Sequence, residues 1–546
     1  MEMQGYTVRG NIVDVVNKEI FPGEVKVQDG KIQSIIRKEV DENQYILPGL
    51  VDAHIHVESS MLCPSEFGRI ASVHGTVATV SDPHEIANVM GMDGIRFMID
   101  NAKLSPVKIY FGAPPCVPAT SFESSGATLG PKEMEELLSQ DEIKYMGEMM
   151  NFPGVIHKDP EIMEKIRIAQ KYQKPIDGHA PGLKGKDAET YVKAGISTDH
   201  ECFTMEEALE KIKYGMKIQI REGSAARNFD ALSDLLKDNV NQVLFCSDDK
   251  HPHELVDGHI NLLVKKSIEL GYNPIDVIRA ASYNAIKHYQ LNVGLLQEND
   301  SADFIIVDNL NDFNILNTYV DGNQIAHKGK CLIKSQNISP VNRFFAKPIS
   351  AEILKIKAEK GKLKSIDIIE GELVTKTFYS TPNIKDNNVV SDIENDVLKM
   401  VVLSRYREQK PAIGFIHNMG FKRGAIASTV AHDSHNIIAV GCSDEEIAKA
   451  INLVIEHKGG IALVNEEKEN IFPLPVAGLM TFEDAWKSGK KYEEMEKAAI
   501  QLGSNLKAPY MTLSFMALLV IPELKLSDQG LFDGNQFCFT SLFEKE

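Results

Sequence analysis

Pro48-Gly49-Leu50-Val51-Asp52-Ala53-His54-Ile55-His56 is the stretch that decides the fold: an apolar run ending in two histidines two residues apart. Successive side chains on a strand point to opposite faces, so His54 and His56 project from the same side. Apolar strand-like runs then recur between helical stretches, centred on 47–54, 76–81, 107–112, 143–149, 174–179, 195–200, 216–221 and 242–248. Strands alternating with helices are the pattern of parallel α/β units, and eight of them is the count for a closed β/α barrel. The span of roughly 240 residues agrees with the usual barrel length of about 250.

Outside the barrel the rhythm changes. Residues 1–47 read as short alternating strands with glycine-containing turns, and residues 291–345 return to strand-like text such as Asp303-Phe304-Ile305-Ile306-Val307-Asp308. The two flanks predict one small composite β-sandwich beside a metal-dependent (β/α)8 barrel at 48–290. Pro340 and Pro348 precede a Lys/Glu-rich stretch, which sets a boundary near 345. Residues 346–546 are predicted as an additional C-terminal α/β domain, with strands at 413–417, 425–430, 437–441 and 460–464 and helices at 445–457 and 481–503. The fold class is α/β.

Composition narrows the function classes. A chain of 546 residues suggests two to four domains, and 43% hydrophobic with 25% charged residues is globular text. The net charge of −18 would repel phosphate backbones, so no nucleic-acid partner is expected. Met1 to Gly5 lack the basic start and apolar run of a signal peptide, and the longest apolar-rich run, 511–521, is too short to span a bilayer and reads as core. No membrane association is expected. Seven cysteines form no CxxC pair, which argues for reduced thiols in a cytoplasmic setting.

In a β/α barrel the chemistry sits at the C-terminal strand ends. Five of those ends carry ligand-type residues: His54 and His56, then Met146-Gly147-Glu148, Asp177-Gly178-His179, Thr198-Asp199-His200 and Cys246-Ser247-Asp248-Asp249. A single buried histidine is more often a hydrogen-bonded core residue than a ligand, but the joint pattern is far more specific. Four histidines, a glutamate and an aspartate supply a mixed nitrogen and oxygen shell for two divalent cations. Glu148 is placed to bridge them, whereas Lys144 has the same parity but lies about one strand length too deep. Asp249 replaces Asp248 as ligand if the strand register shifts by one. Cys246 should point away from the ligand side, into the core, and the glycine-containing loops at 112–115 and 223–227 lack the spacing of a phosphate cradle.

The segment from Pro48 through His56-Val57-Glu58-Ser59-Ser60 resembles the opening motif of the amidohydrolase superfamily in its adenine deaminase form. Ser81-Asp82-Pro83-His84-Glu85-Ile86-Ala87-Asn88-Val89, Asp177-Gly178-His179-Ala180-Pro181, Ser247-Asp248-Asp249-Lys250-His251-Pro252 and Ala431-His432-Asp433-Ser434-His435-Asn436 carry the same likeness over nearly the whole chain. The resemblance implies hydrolysis of adenine to hypoxanthine and ammonia at a binuclear centre, with manganese or iron favoured over zinc. Adenine and water are then the small-molecule partners. By analogy with associating barrel enzymes a homo-oligomer is expected. Two cations make a shared water acidic enough to act near neutral pH.

Asp248, as a ligand facing that water, is the natural general base. A second proton carrier is sought among Glu58, His84 and Glu85 in the loops after strands one and two, where each also fits a salt-bridged loop residue. Arg221 either orients the substrate or pairs with Glu222 or Asp248. His432 and His435 either reach the barrel mouth or form a polar turn. Two other readings stand beside deamination: a cyclic-amide hydrolase acting on hydantoin or dihydropyrimidine rings, whose relatives usually carry a carboxylated lysine where Glu148 stands, and a silent barrel serving as an assembly module.

Overall fold

The computed structural model describes residues 5–336 and 338–544. Met1 to Gln4, on which the expectation of no leader partly rests, lie outside the described residues. Eight parallel strands follow one another from residue 50 to 246: β1 (Leu50–Ile55), β2 (Thr76–Ser81), β3 (Lys108–Ala113), β4 (Ile143–Met149), β5 (Ile176–Gly178), β6 (Thr198–Asp199), β7 (Lys217–Arg221) and β8 (Val243–Cys246). β1 to β5 pair in order, as do β6 to β8. The Ser197 N–H donates to the Ile176 carbonyl at 2.9 Å to join the two runs, and the Asp248 N–H donates to the His54 carbonyl at 2.9 Å to close the barrel. Every residue of β1, β2 and β8 is buried. Strands covered on both faces read as continuous apolar runs, which is why they were visible in the sequence.

β1 begins at Leu50, because Tyr45–Pro48 leaves the barrel and pairs with Phe304–Val307. Gly49 makes the corner between them: a Cβ there would fall 2.2 Å from Val77 Cγ1. The pairing joins the two flanks of the barrel into one eight-stranded sheet, from Lys330–Cys331 at one edge to Lys31–Arg37 at the other. β5 and β6 are shorter than their apolar runs suggested. Their polar ends are held by side chains instead of a ladder: Thr198 Oγ1 donates to Asp177 at 2.9 Å, and Lys211 Nζ donates to Asp199.

The C-terminal part is built on a nine-stranded sheet whose centre includes Val397–Leu403 and Ile437–Gly441. Helix Asp444–Glu456, capped by the Ser443 hydroxyl accepting from the Glu446 N–H, lays Ile447, Ile451, Val454 and Ile455 on that sheet. The run at 511–521 is not a span but mostly buried core that begins in helix Pro509–Ser514. Among the described residues no helix is long and apolar enough to cross a membrane.

This domain is fused to the barrel mouth. Thr481 exchanges backbone hydrogen bonds with Met61 (2.8 Å) and Cys63 (2.9 Å), just after β1. One contiguous apolar core runs from Ile86, Phe111 and Met149 of the barrel to Phe421, Leu479 and Tyr510. Each such side chain contributes about 1.5–3 kcal/mol when fully buried, so the two parts are held together as one body at the rim.

Candidate metal centre

The turn at the end of β1 is set from below by Asp52, which accepts hydrogen bonds from the backbone N–H groups of His54 (3.2 Å) and Ser247 (3.1 Å). Its other oxygen meets His259 Nε2 at 2.7 Å. One buried carboxylate thereby fixes β1 against the residues leaving β8. There Asp248 takes a left-handed backbone, φ +54, a strain of about 1–3 kcal/mol for a non-glycine residue. The surrounding backbone hydrogen bonds hold it: its N–H donates to His54 and its carbonyl accepts from His56 at 3.3 Å.

This geometry places six side chains around one point. His56 Nδ1 lies 3.0 Å from the Asp82 carbonyl, which can only accept, so Nδ1 carries a proton and Nε2 is the nitrogen that faces inward. That Nε2 stands 3.4 Å from Glu148 Oε1 and 3.3 Å from Asp248 Oδ1. His54 Nε2 is 3.7 Å from the same Asp248 oxygen, and neither ring nitrogen of this fully buried imidazole has a hydrogen-bond partner. Glu148 spans the centre: Oε1 faces His56, while Oε2 faces His179 Nδ1 at 2.9 Å and His200 Nε2 at 3.3 Å. Glu148 is held by its own N–H, which donates to Asp82 at 2.8 Å. That carboxylate occupies the space over Gly147, where a Cβ would meet it at 2.2 Å. His179 is the most exposed of the six, 22%, and marks the open side.

Burial alone would raise the Glu148 and Asp248 carboxyls. The facing imidazoles, and for Asp248 the Arg221 guanidinium, outweigh it and hold both well below the ordinary carboxylate range. Imidazole nitrogens turned inward, those of His54 without any partner, and two ionised carboxylates form a donor set that fits divalent cations of borderline softness, which would take the place of the imidazole protons. The triads His54-His56-Asp248 and His54-Glu148-His200 each converge within ligand range.

The neighbours resolve several open readings. Asp249 stands outside the six-residue cluster and accepts from Ser59 Oγ at 2.5 Å. Arg221 pairs with Asp248 Oδ2, not with Glu222, and its same nitrogen reaches Glu201 Oε1; both contacts are 2.5 Å. Glu201 escaped the sequence reading. It stands 3.4 Å from His200 and 3.7 Å from His179, and the available signal was only an acid directly after a ligand histidine. Cys246 is buried in the core.

Glu58, in the turn Val57–Ser60 after β1, accepts from the Ile86 N–H at 3.2 Å through one oxygen while the other has no partner. Burial, with the Glu85 charge adding to it, pushes its carboxyl up to about 7. His84 opens helix His84–Met90 after β2, with Nδ1 3.4 Å from Glu148 Oε1. Glu85 points toward the C-terminal domain: Oε1 lies 2.7 Å from His432 Nδ1, and Oε2 contacts His435 Nε2. His432 and His435 thus reach the barrel mouth. Phe515 stacks on His432 at 4.6 Å and forms part of the wall of a cleft of about 570 Å³ between Arg227, His251, Lys507 and Met511.

Known proteins match along the same lines. The amidohydrolase family matches residues 45–325 and the adenine deaminase C-terminal domain matches residues 372–538. An adenine deaminase of Methanosarcina mazei is 52% identical over 550 residues, covering 98% of this chain and 99% of that one. One from Sulfurovum sp. is 52% identical over 97% of this chain and 98% of its own length. One from Borreliella burgdorferi is 45% identical over 98% and 100%.

Proposed function

The chain belongs to the adenine deaminase family of the amidohydrolase superfamily, and on that footing we propose which of its residues carry the family's hydrolysis. It hydrolyses adenine to hypoxanthine and ammonia. The bond from the purine C6 to the exocyclic nitrogen breaks, the oxygen of water becomes the ring carbonyl, one water proton leaves with the amine as ammonia and the other is balanced by the proton that the ring nitrogen N1 carries in hypoxanthine. Superfamily membership and the clustered donors imply bound divalent metal.

The ligand assignment rests on one observation, the convergence of four imidazoles with Glu148 and Asp248 at the barrel rim, where both ring nitrogens of the buried His54 lack protein partners. His54, His56 and Asp248 would hold one cation, His179 and His200 the other, with one Glu148 oxygen turned to each. Manganese is the proposed metal, ahead of iron and zinc. When bound, such a pair supplies Lewis acidity that makes a water proton removable near neutral pH.

The protein groups then divide the proton work. Asp248 is anchored through Oδ2 by Arg221, which leaves Oδ1, the oxygen facing His54 and His56, to accept a proton from the attacking water and pass it to the departing nitrogen. Glu58, pushed up to about 7, keeps a proton near neutrality and has an unpartnered oxygen, which suits it to protonate a ring nitrogen. Both Glu85 oxygens are taken by histidines that keep it ionised against the cost of burial, so its part is charge and hydrogen bonding rather than proton delivery. The free cysteines among the described residues support the proposed cytoplasmic setting.

The test is to load the protein with manganese and incubate it separately with adenine and dihydrouracil, following purine absorbance and ammonia. Ammonia from adenine and no opening of dihydrouracil is expected. The reverse pattern would transfer the assignment to the cyclic-amide hydrolases.

A further inference from the structure

We propose that His432 and His435 of the C-terminal domain are positioning residues for the deamination: they clamp Glu85, and Glu85 in turn steadies His84 beside the bridging carboxylate Glu148. The proposal rests on the functional reading above. The contacts form an unbroken chain, with His432 Nδ1 2.7 Å from Glu85 Oε1, that oxygen 3.5 Å from His84 Nε2, and His84 Nδ1 3.4 Å from Glu148 Oε1. His435 closes on the second Glu85 oxygen. All of these side chains are buried.

Glu85, His432 and His435 also bring three ligand-type atoms together, so a further metal site is the competing explanation. Hydrogen bonding argues against it. The Ala431 N–H donates to His435 Nδ1 at 3.2 Å, so the proton of a neutral His435 sits on Nε2, the nitrogen that a cation would need bare. That proton is donated to Glu85. On the other side, burial works against a charged His432, but Glu85 outweighs it and raises the imidazole to about 9, leaving it a cationic donor near neutral pH. The Glu85 carboxylate is therefore satisfied by two N–H groups, unlike His54 at the rim, neither of whose ring nitrogens has a partner.

The clamp is itself braced. The His432 N–H donates to the Ser514 carbonyl at 3.0 Å, and the Phe515 ring stacks on the imidazole with an interplanar angle of 14°. Helix Pro509–Ser514 and the turn after it thus fix where Glu85 stands. A barrel without its C-terminal domain would leave Glu85 without either donor.

The experiment compares wild type, His432→Gln, His435→Gln, Glu85→Gln and the double variant Glu85→Gln/His432→Gln as manganese-loaded full-length proteins on adenine. Glutamine keeps a hydrogen-bond donor, which favours folding. For the single variants kcat should fall roughly 10- to 100-fold, as expected when a catalytic constellation loosens, with KM within about twofold and metal content equal to wild type. The double variant should be no slower than Glu85→Gln, because His432 acts through Glu85. Folded single variants with wild-type kcat would overturn the proposal, as would additive losses in the double variant. Loss of one metal equivalent in His435→Gln would overturn it in favour of a metal site. Wild type that releases no ammonia would remove the functional reading and the proposal with it.

Discussion

Two buried clusters of histidines and carboxylates lie side by side at the barrel mouth and differ in one respect. At the rim, His54 has both ring nitrogens unpartnered, His200 has one, and the imidazoles that face Glu148 and Asp248 mostly do so at 3.3–3.7 Å, beyond close hydrogen-bonding range. In the cluster donated by the C-terminal domain, Glu85 is met at 2.7 Å by His432 and more closely still by His435. Residue types alone do not separate the two, since both offer three or more ligand atoms. Partners do: at the rim His54 has none on either nitrogen, whereas both oxygens of Glu85 are taken by His432 and His435.

The largest effect that can break this contrast is metal removal. Chelation should abolish ammonia release and lower Tm, and manganese should restore both, because a ligand held only by the folded rim adds its binding free energy to stability. Persistent turnover in thoroughly chelated protein would erase the distinction. Next in size is Asp248→Asn, which keeps the shape and removes the carboxylate proposed as the base. Its turnover should drop about a thousandfold, read as ammonia release, with near-normal circular dichroism.

How much of the contrast was legible in the sequence follows from distance along the chain. The barrel strands announced themselves because burial on both faces makes continuous apolar runs, and His54 and His56 share a face by simple alternation. Asp248 could not be told from Asp249 in the same way, since a shift of one residue flips the face and the decisive feature is a left-handed backbone after the strand. Glu85 and His432 are 347 residues apart, and no local periodicity reports such a contact. Val397–Leu403, wholly buried at the centre of its sheet, went unread amid text that mixes strand and helix signals. Glu201 follows His200 directly, but its meaning comes from Arg221, twenty residues on.

Two smaller effects sharpen the comparison. Gly147→Ala would drive a methyl into Asp82 and tilt Glu148, so about 1–3 kcal/mol of stability should be lost by denaturant unfolding, together with weaker metal retention. Unchanged stability would mean that Asp82 does not set the bridge. Lys525, in strand Leu524–Ser527, shows a third arrangement, a buried amine whose Nζ donates to the Leu373 carbonyl. Burial pushes it from 10.5 down to about 7. Between those values the unfolded chain holds a proton that the native state has released, so stability rises with pH across pH 7 to 10.5 and falls as pH drops toward 7. The slope should reach at most about 1.4 kcal/mol per pH unit and should flatten in Lys525→Met, as measured by unfolding at pH 7 and pH 9.

The central claim, that bare donors mark a cation site and saturated donors a clamp, is tested most directly by counting manganese per chain in wild type and in His432→Gln/His435→Gln protein. Two ions in both proteins is the expected result. Three in wild type falling to two in the variant would make the clamp a metal site, and a single ion in wild type would remove Glu148 from its bridging place.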